Sequence, residues 1–370
     1  MKLKFYLRQL AKMAVQNLLL PVVYQFYRKQ SVIPGRVIFA DAHHEDLPFS
    51  MRRLYRSLIR TDLSVQMICS DYGKDGFRKN LKNMLRFMKH YARAEYVIVC
   101  DNFLPAASCR KRPETKVIQL WHACGALKKF GQDTTEDVPS IYKGNVFKNC
   151  DYVTVSSDWC IPYYASAMGL PAERIVPVGI SRTDDYYDPA FVRAAKKKFE
   201  KNYPQAVNKK VLLWAPTFRG NAAMPTVCGE EAIDAMAEEL GAEWFVIKSL
   251  HPHLLPKDAK KPEMTSEELL VVTDLLITDY SSILFDYLIY RRPLLLFAPD
   301  LREYEKKRGF YMDYRSLPGR IIKDGTQLAQ AVRETEKHFD PAKAEETFLK
   351  YMGACDGHAT ERIRQMIGTR

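Results

Sequence analysis

DLLITDYSSILFDYLIYRRPLLLFAP, residues 274–299, decides the fold. Leu275–Thr278 is an apolar run without polar alternation, the mark of a strand covered on both faces. Ser281 and Ser282 then open a stretch with helical spacing, and a second apolar run starts after Pro293. Strand, helix and strand in so short a span make a βαβ unit, which demands a parallel sheet.

The same unit recurs in both directions. KVLLWAP (210–216) and WFVIKS (244–249) read as strands upstream of it. A separate series, RVIFAD (36–41), YVIVCD (96–101), KVIQLW (116–121) and YVTVSS (152–157), is spaced by the helical stretches MRRLYRSLIR and FRKNLKNMLRFMKHYA. Between the two series lie the charged helix PAFVRAAKKKFEKNYP and the polar QAVNKK. An α/β fold of two Rossmann-like halves is expected, joined near residues 190–208, with a cleft between them. The last 40 residues are helical by pattern and are expected to return to the first half.

Composition narrows the partners. With 370 residues, 47% of them hydrophobic, the chain has material for two domains, and a formal charge of +12 calls for an anionic partner. No arginine-rich or aromatic-interleaved tract accompanies that charge, so nucleic acid is not expected. Eight cysteines lie scattered at 69, 100, 109, 124, 150, 160, 228 and 355, without a Cys-x-x-Cys pair, and read as reduced thiols.

Residues 1–30 contain no acid and no secretory signal. Lys4, Arg8, Lys12 and Gln16 fall on one helical face, with Leu3, Leu7, Leu10, Ala14 and Leu18 opposite. Lys12, Gln16, Asn17 and Pro21 interrupt the apolar run, which disfavours a spanning helix. Two readings stand: a helix in the interface of an anionic membrane, or one docked on its own domain. The absence of acids before Asp41 favours the membrane.

Strand ends supply the candidate chemistry, because ligands of open α/β sheets bind beyond the strand carboxyl ends. VIQLWHACGALKKFG (117–131) delivers His122, followed by the small Cys124, Gly125 and Ala126 and by Lys128 and Lys129. WAPTFRG delivers Thr217 and Arg219, and KSLHPH delivers Lys248, His251 and His253. Ser281 and Ser282 either cradle a pyrophosphate at the helix start or simply cap it, and Asp286 lies one turn further on, where it can meet a sugar hydroxyl. His43 and His44 in DAHHEDLPFS are adjacent and diverge, a poor chelate, on a loop suited to contacting acceptor. No zinc-ligand spacing surrounds these histidines, so neither metal nor cofactor is expected. The chain also lacks a glycine-rich P-loop and a Gly-x-Gly-x-x-Gly, which weakens kinase and dehydrogenase readings.

QLWHACGALKKFG, WAPTFRG, LHPH and LITDYSSILFDYLIYRRPLLLFAPDLREYEKKRGFYMDY, in this order, resemble the CDP-glycerol glycerophosphotransferases of teichoic acid synthesis over roughly residues 110–365. The resemblance implies a GT-B-like arrangement: a membrane-associating segment (1–30), an acceptor domain (31–190), a CDP-polyol domain (205–340) and a helical segment (341–370). It implies a peripheral enzyme on the cytoplasmic face of the membrane that moves a polyol phosphate from a CDP-polyol to a lipid-linked saccharide acceptor and releases CMP. Glycerol phosphate is the first expectation; ribitol phosphate, or sugar transfer by a GT-B glycosyltransferase, are the alternatives. His122 then matches a general base, for which the ordinary histidine pKa of about 6.5 leaves a neutral fraction at pH 7. Arg182, His251 and His253 match positions near the phosphates, Pro216 and Thr217 a nucleotide-contacting turn, Ser281 and Ser282 the pyrophosphate cradle, and Asp286 a contact to the donor. Ala123-Cys124-Gly125 departs from the Gly-Thr-Pro common in that family, which bears on the polyol or acceptor more than on the chemistry.

Overall fold

The computed structural model describes residues 13–135, 144–221, 224–250, 254 and 262–368. Its chain divides into two compact units. The first takes the chain up to His122, Gly131–Asp184 and Ala354 onward; the second takes Ala123–Phe130 and Asp185–Gly353.

Unit 1 is built on six parallel strands: β1 (Arg36–Asp41), β2 (Ser64–Cys69), β3 (Tyr96–Val99), β4 (Lys116–Gln119), β5 (Tyr152–Thr154) and β6 (Ile175–Val176). Their order is β2-β1-β3-β4-β5-β6, so the direction of winding reverses between β1 and β3. Residues alternate between the sheet's faces. Val37 and Phe39 pack with Met51, Leu54 and Leu58 of the helix Phe49–Leu58 and with Ile363 and Ile367 near the chain's C-terminal end. Each of those buried isoleucines contributes about 1.5–3 kcal/mol by leaving water. Asp184 accepts hydrogen bonds from the N–H groups of Ala359 and Thr360, fixing the start of the helix Ala359–Met366 on this unit.

Unit 2 carries five parallel strands: β7 (Lys210–Ala215), β10 (Trp244–Lys248), β11 (Leu275–Thr278), β12 (Leu294–Phe297) and β13 (Arg320–Ile322), in the order β10-β7-β11-β12-β13. The reversal here falls between β7 and β11. A short antiparallel hairpin, β8 (Arg219–Asn221) and β9 (Met224–Thr226), follows β7. Every residue of β11 and β12 is buried, as their unbroken apolar runs require. Ala123–Phe130 forms a strap on this unit: Lys128 bridges to Phe310, Tyr311 N–H donates to Leu127 O at 2.9 Å, and Lys129 N–H donates to Gly309 O at 3.1 Å. Gly125, at φ +62°, lies so close to Phe285 that a Cβ there would sit 2.5 Å from its ring.

At the helical start of the chain Gln16 is buried and Leu18 exposed, and Val15–Leu19 is π-helical. Lys4, Arg8 and Lys12 lie outside the described residues. Within the helix Leu20–Arg28, Leu20 and Tyr24 are buried, and the Tyr24 ring lies 5.1 Å from that of Tyr91. Leu18, Val22 and Phe26 project from this helical stretch as an exposed apolar row at four-residue spacing. All eight cysteines are free thiols.

Candidate active site

Each sheet's reversal point gathers a polar cluster, and such switch points are where open α/β sheets leave a crevice for ligands. In unit 1, β4 leads into Trp121, whose φ of 58° is an uncommon left-handed conformation for a side chain of that size. This bend turns out the next residue, His122, whose side chain is 48% exposed. Its Nδ1 lies 3.3 Å from Asp101 Oδ2, just past the end of β3. Asp101 Oδ1 also accepts the Asn102 N–H at 2.6 Å, which fixes the carboxylate. Buried Gln119 holds both sides, donating to Asp101 O at 3.0 Å and accepting the Trp121 N–H at 3.0 Å. The Trp121 ring backs the imidazole at 4.4 Å. With Nδ1 turned to a carboxylate, Nε2 is the nitrogen left to take a proton.

At the end of β1, buried Asp41 binds its own loop. Oδ2 accepts the His43 and His44 N–H groups at 2.8 and 2.7 Å and lies 2.9 Å from His44 Nδ1. Burial works against the carboxylate, but these bonds more than offset it and hold its pKa below the usual range. At His44 the bond to Asp41 outweighs burial and raises the imidazole pKa. The pair's stabilisation is complete between about pH 4 and about pH 6.5; it fades below as Asp41 takes a proton and above as His44 loses one.

The cluster in unit 2 centres on Asp279, beyond β11. Its Oδ1 accepts the N–H groups of Thr217 and Tyr280 at 2.7 and 2.6 Å, and Oδ2 accepts Arg219 Nη1 at 2.9 Å. Asp300 takes the other edge of Arg219, through Nε at 2.7 Å and Nη2 at 3.0 Å, and accepts the Tyr280 hydroxyl at 2.9 Å. Burial opposes the guanidinium charge, but Asp300 and Asp279 more than offset it and hold its pKa above the ordinary value. Tyr280, stacked on Tyr304 at 3.9 Å, covers its face at 4.8 Å.

The sequence-derived candidates fare differently. Arg219 donates to Asp279, Asp300 and the Thr217 carbonyl, so it braces the turn after β7. Buried Pro216 leads into that turn, and the buried Thr217 Oγ1 has no partner among the described residues, the state expected of a hydroxyl kept for a ligand. Ser282 is the N-cap of the helix Ile283–Leu288 yet makes no side-chain capping bond, while Ser281 Oγ accepts the Ile283 N–H at 3.4 Å. Asp286 lies on the buried face of its helix, with Oδ1 3.6 Å from Cys124 Sγ of the strap. Lys248 pairs with Glu230 and Asp234. Arg182 is buried in the 3-10 segment Ser181–Tyr187, beside the Ser181 hydroxyl that bonds Thr360 at 2.9 Å. His251 and His253 lie outside the described residues. Among the described residues, no group of His, Cys, Asp and Glu side chains is gathered to hold a metal.

Asp101 and Gln119 were missed by sequence reasoning, although a signal existed. RVIFAD and YVIVCD both end an apolar strand in aspartate, and an acid at that place belongs to the crevice.

Known proteins resemble this chain over most of its length. The teichoic acid ribitol-phosphate primase of Bacillus spizizenii is 31% identical over 365 residues, 90% of this chain and 91% of its own. The teichoic acid glycerol-phosphate primase of Bacillus subtilis is 31% identical over 291 residues, 73% of either chain. In fold, the wall teichoic acid polymerase TagF superposes with a TM-score of 0.73 at 20% identity, covering 99% of this chain and 96% of that one. The sequence profile of the CDP-glycerol:poly(glycerophosphate) glycerophosphotransferases matches residues 22–369, and the chain belongs to that family.

Proposed function

We propose that the protein transfers a polyol phosphate from a CDP-polyol to a hydroxyl of a lipid-linked teichoic acid or related cell-surface acceptor, releasing CMP. The observation that carries this reading is His122 held against Asp101 at a sheet's switch point, in a chain that matches the family over residues 22–369. His122 takes the acceptor's hydroxyl proton as the oxygen bonds to the polyol-bearing phosphorus. The bond from that phosphorus to the CMP oxygen breaks, and CMP leaves with the electron pair. Pro216, Thr217, Ser281 and Ser282 form the donor's diphosphate seat, while Arg182, His251 and His253 offset charge on the phosphates. Asp286, which also meets Cys124 of the strap, contacts the CDP or polyol portion of the donor. A GT-B-like arrangement fits two switch points that serve different substrates.

Ribitol phosphate competes with glycerol phosphate as the group transferred, because the ribitol-phosphate primase matches 90% of this chain and the glycerol-phosphate primase 73%. CMP release from CDP-ribitol and CDP-glycerol, each with a soluble lipid-disaccharide acceptor with and without a first glycerol phosphate, tests both. Mass spectrometry of the product then counts the units added. Absence of CMP release from every pair overturns the reading.

The site of action is the cytoplasmic face of the membrane, as a peripheral protein. Among the described residues no helix is long and apolar enough to cross a bilayer. Support comes from the exposed row Leu18, Val22 and Phe26 beside exposed Lys82, Arg86 and Lys89 of the packed helix Phe77–Tyr91. An apolar row flanked by cations suits an anionic lipid surface. Val22→Glu with Phe26→Glu should cut binding to vesicles containing phosphatidylglycerol by at least tenfold in a flotation assay. Unchanged flotation would assign the contact elsewhere.

A further inference from the structure

Asp41, only 3% exposed, devotes three contacts to a loop whose His44 side chain is 55% exposed. The two N–H bonds would close the turn by themselves; the third contact locks the ring and leaves Nε2 facing outward. Phe39 pairs with Ile98 in the β1–β3 register, so Asp41 lies beside Cys100, one residue before the Asp101 that holds His122. Neighbouring strands are about 4.8 Å apart, so the carboxylates Asp41 and Asp101 stand on the adjoining ends of β1 and β3 at one switch point, with His122 reaching Asp101 from the end of β4.

The charges around His44 decide what it can bind. Asp41, Asp71 and Asp101 act on it, and its own loop adds Glu45 and Asp46. Against these stand Lys74, paired with Asp71, and Lys79, paired with Asp75 and 3.9 Å from Glu45. Acids outnumber bases, which opposes a phosphate and favours neutral hydroxyls. A hydroxyl can accept from an imidazole N–H and donate to a carboxylate.

We propose that His44 is a specificity-determining residue: with Asp101 it grips a hydroxyl of the acceptor adjacent to the one His122 deprotonates, so the enzyme selects a vicinal diol. This rests on the transferase reading above. Because a hydroxyl both donates and accepts, the contact survives when His44 changes protonation state, whereas an anion's would not.

The test uses the soluble acceptor that supports CMP release, and its analogue lacking the hydroxyl vicinal to the nucleophile. The wild-type acceptor KM rises about tenfold with the deoxy analogue, the worth of one directed hydrogen bond. His44→Ala, and His44→Asn, which retains an amide donor for Asp41, raise acceptor KM by about the same factor, mainly in KM rather than kcat. Combining variant and analogue adds no further loss, since both remove one contact. Losses that multiply, or a His44→Asn effect confined to kcat, overturn the assignment while wild-type CMP release keeps the transferase reading. No wild-type CMP release overturns both.

Discussion

His122→Ala lowers turnover at least a hundredfold while the CDP-polyol still binds. General-base catalysis supplies about two to four orders of magnitude, and the truncated side chain leaves the acceptor's proton nowhere to go. The cluster of Asp279, Thr217 and Arg219 belongs wholly to unit 2, so its geometry does not depend on the imidazole. Donor affinity by calorimetry and CMP release by a coupled assay separate the two effects. Asp101→Asn keeps the shape and loses the charge that faces Nδ1; its turnover falls about tenfold or more. Full turnover in His122→Ala would remove the residue from the chemistry.

Asp279→Ala destabilises unit 2 by roughly 3–5 kcal/mol, the cost of leaving a buried cation half-paired. Three donors lose their acceptor at once: the N–H groups of Thr217 and Tyr280, and Nη1 of Arg219. Asp300 still neutralises Arg219 along its other edge, which prevents a larger loss. Chemical denaturation followed by circular dichroism registers the change as an earlier unfolding transition. Adding Arg219→Leu removes the half-paired charge and should cost less than the sum of the two single losses, because the residues share one network. An unmoved midpoint for Asp279→Ala would mean that packing of Tyr280, Tyr304 and Tyr314 alone holds the turn.

Central strands were legible because burial on both faces writes an unbroken apolar run: RVIFAD and LLIT coincide with β1 and β11 residue for residue. β2, β6 and β13 escaped notice, and all three are sheet edges. SVQMIC in β2 is buried only at Ile68, so half-solvated positions dilute the signal. His122 was readable from its place after a strand. The commitment of Arg219 was not, since Asp279 and Asp300 lie 60 and 81 positions away and only the sheet brings them together. The burial of Asp286 against Cys124 is likewise not written in the sequence, because it depends on which face of its helix meets the strap.

The return of the chain to unit 1 at Ala354 has a consequence for biosynthesis. All six strands of that unit have been translated by Val176, yet Ile363 and Ile367, which cover one face of the sheet, emerge only after the whole of unit 2. A chain growing from its N-terminus therefore completes the later sheet while the earlier one still exposes apolar surface to water. Unit 1 waits longest on the ribosome for its last partner, and that interval is when the nascent protein depends most on chaperones.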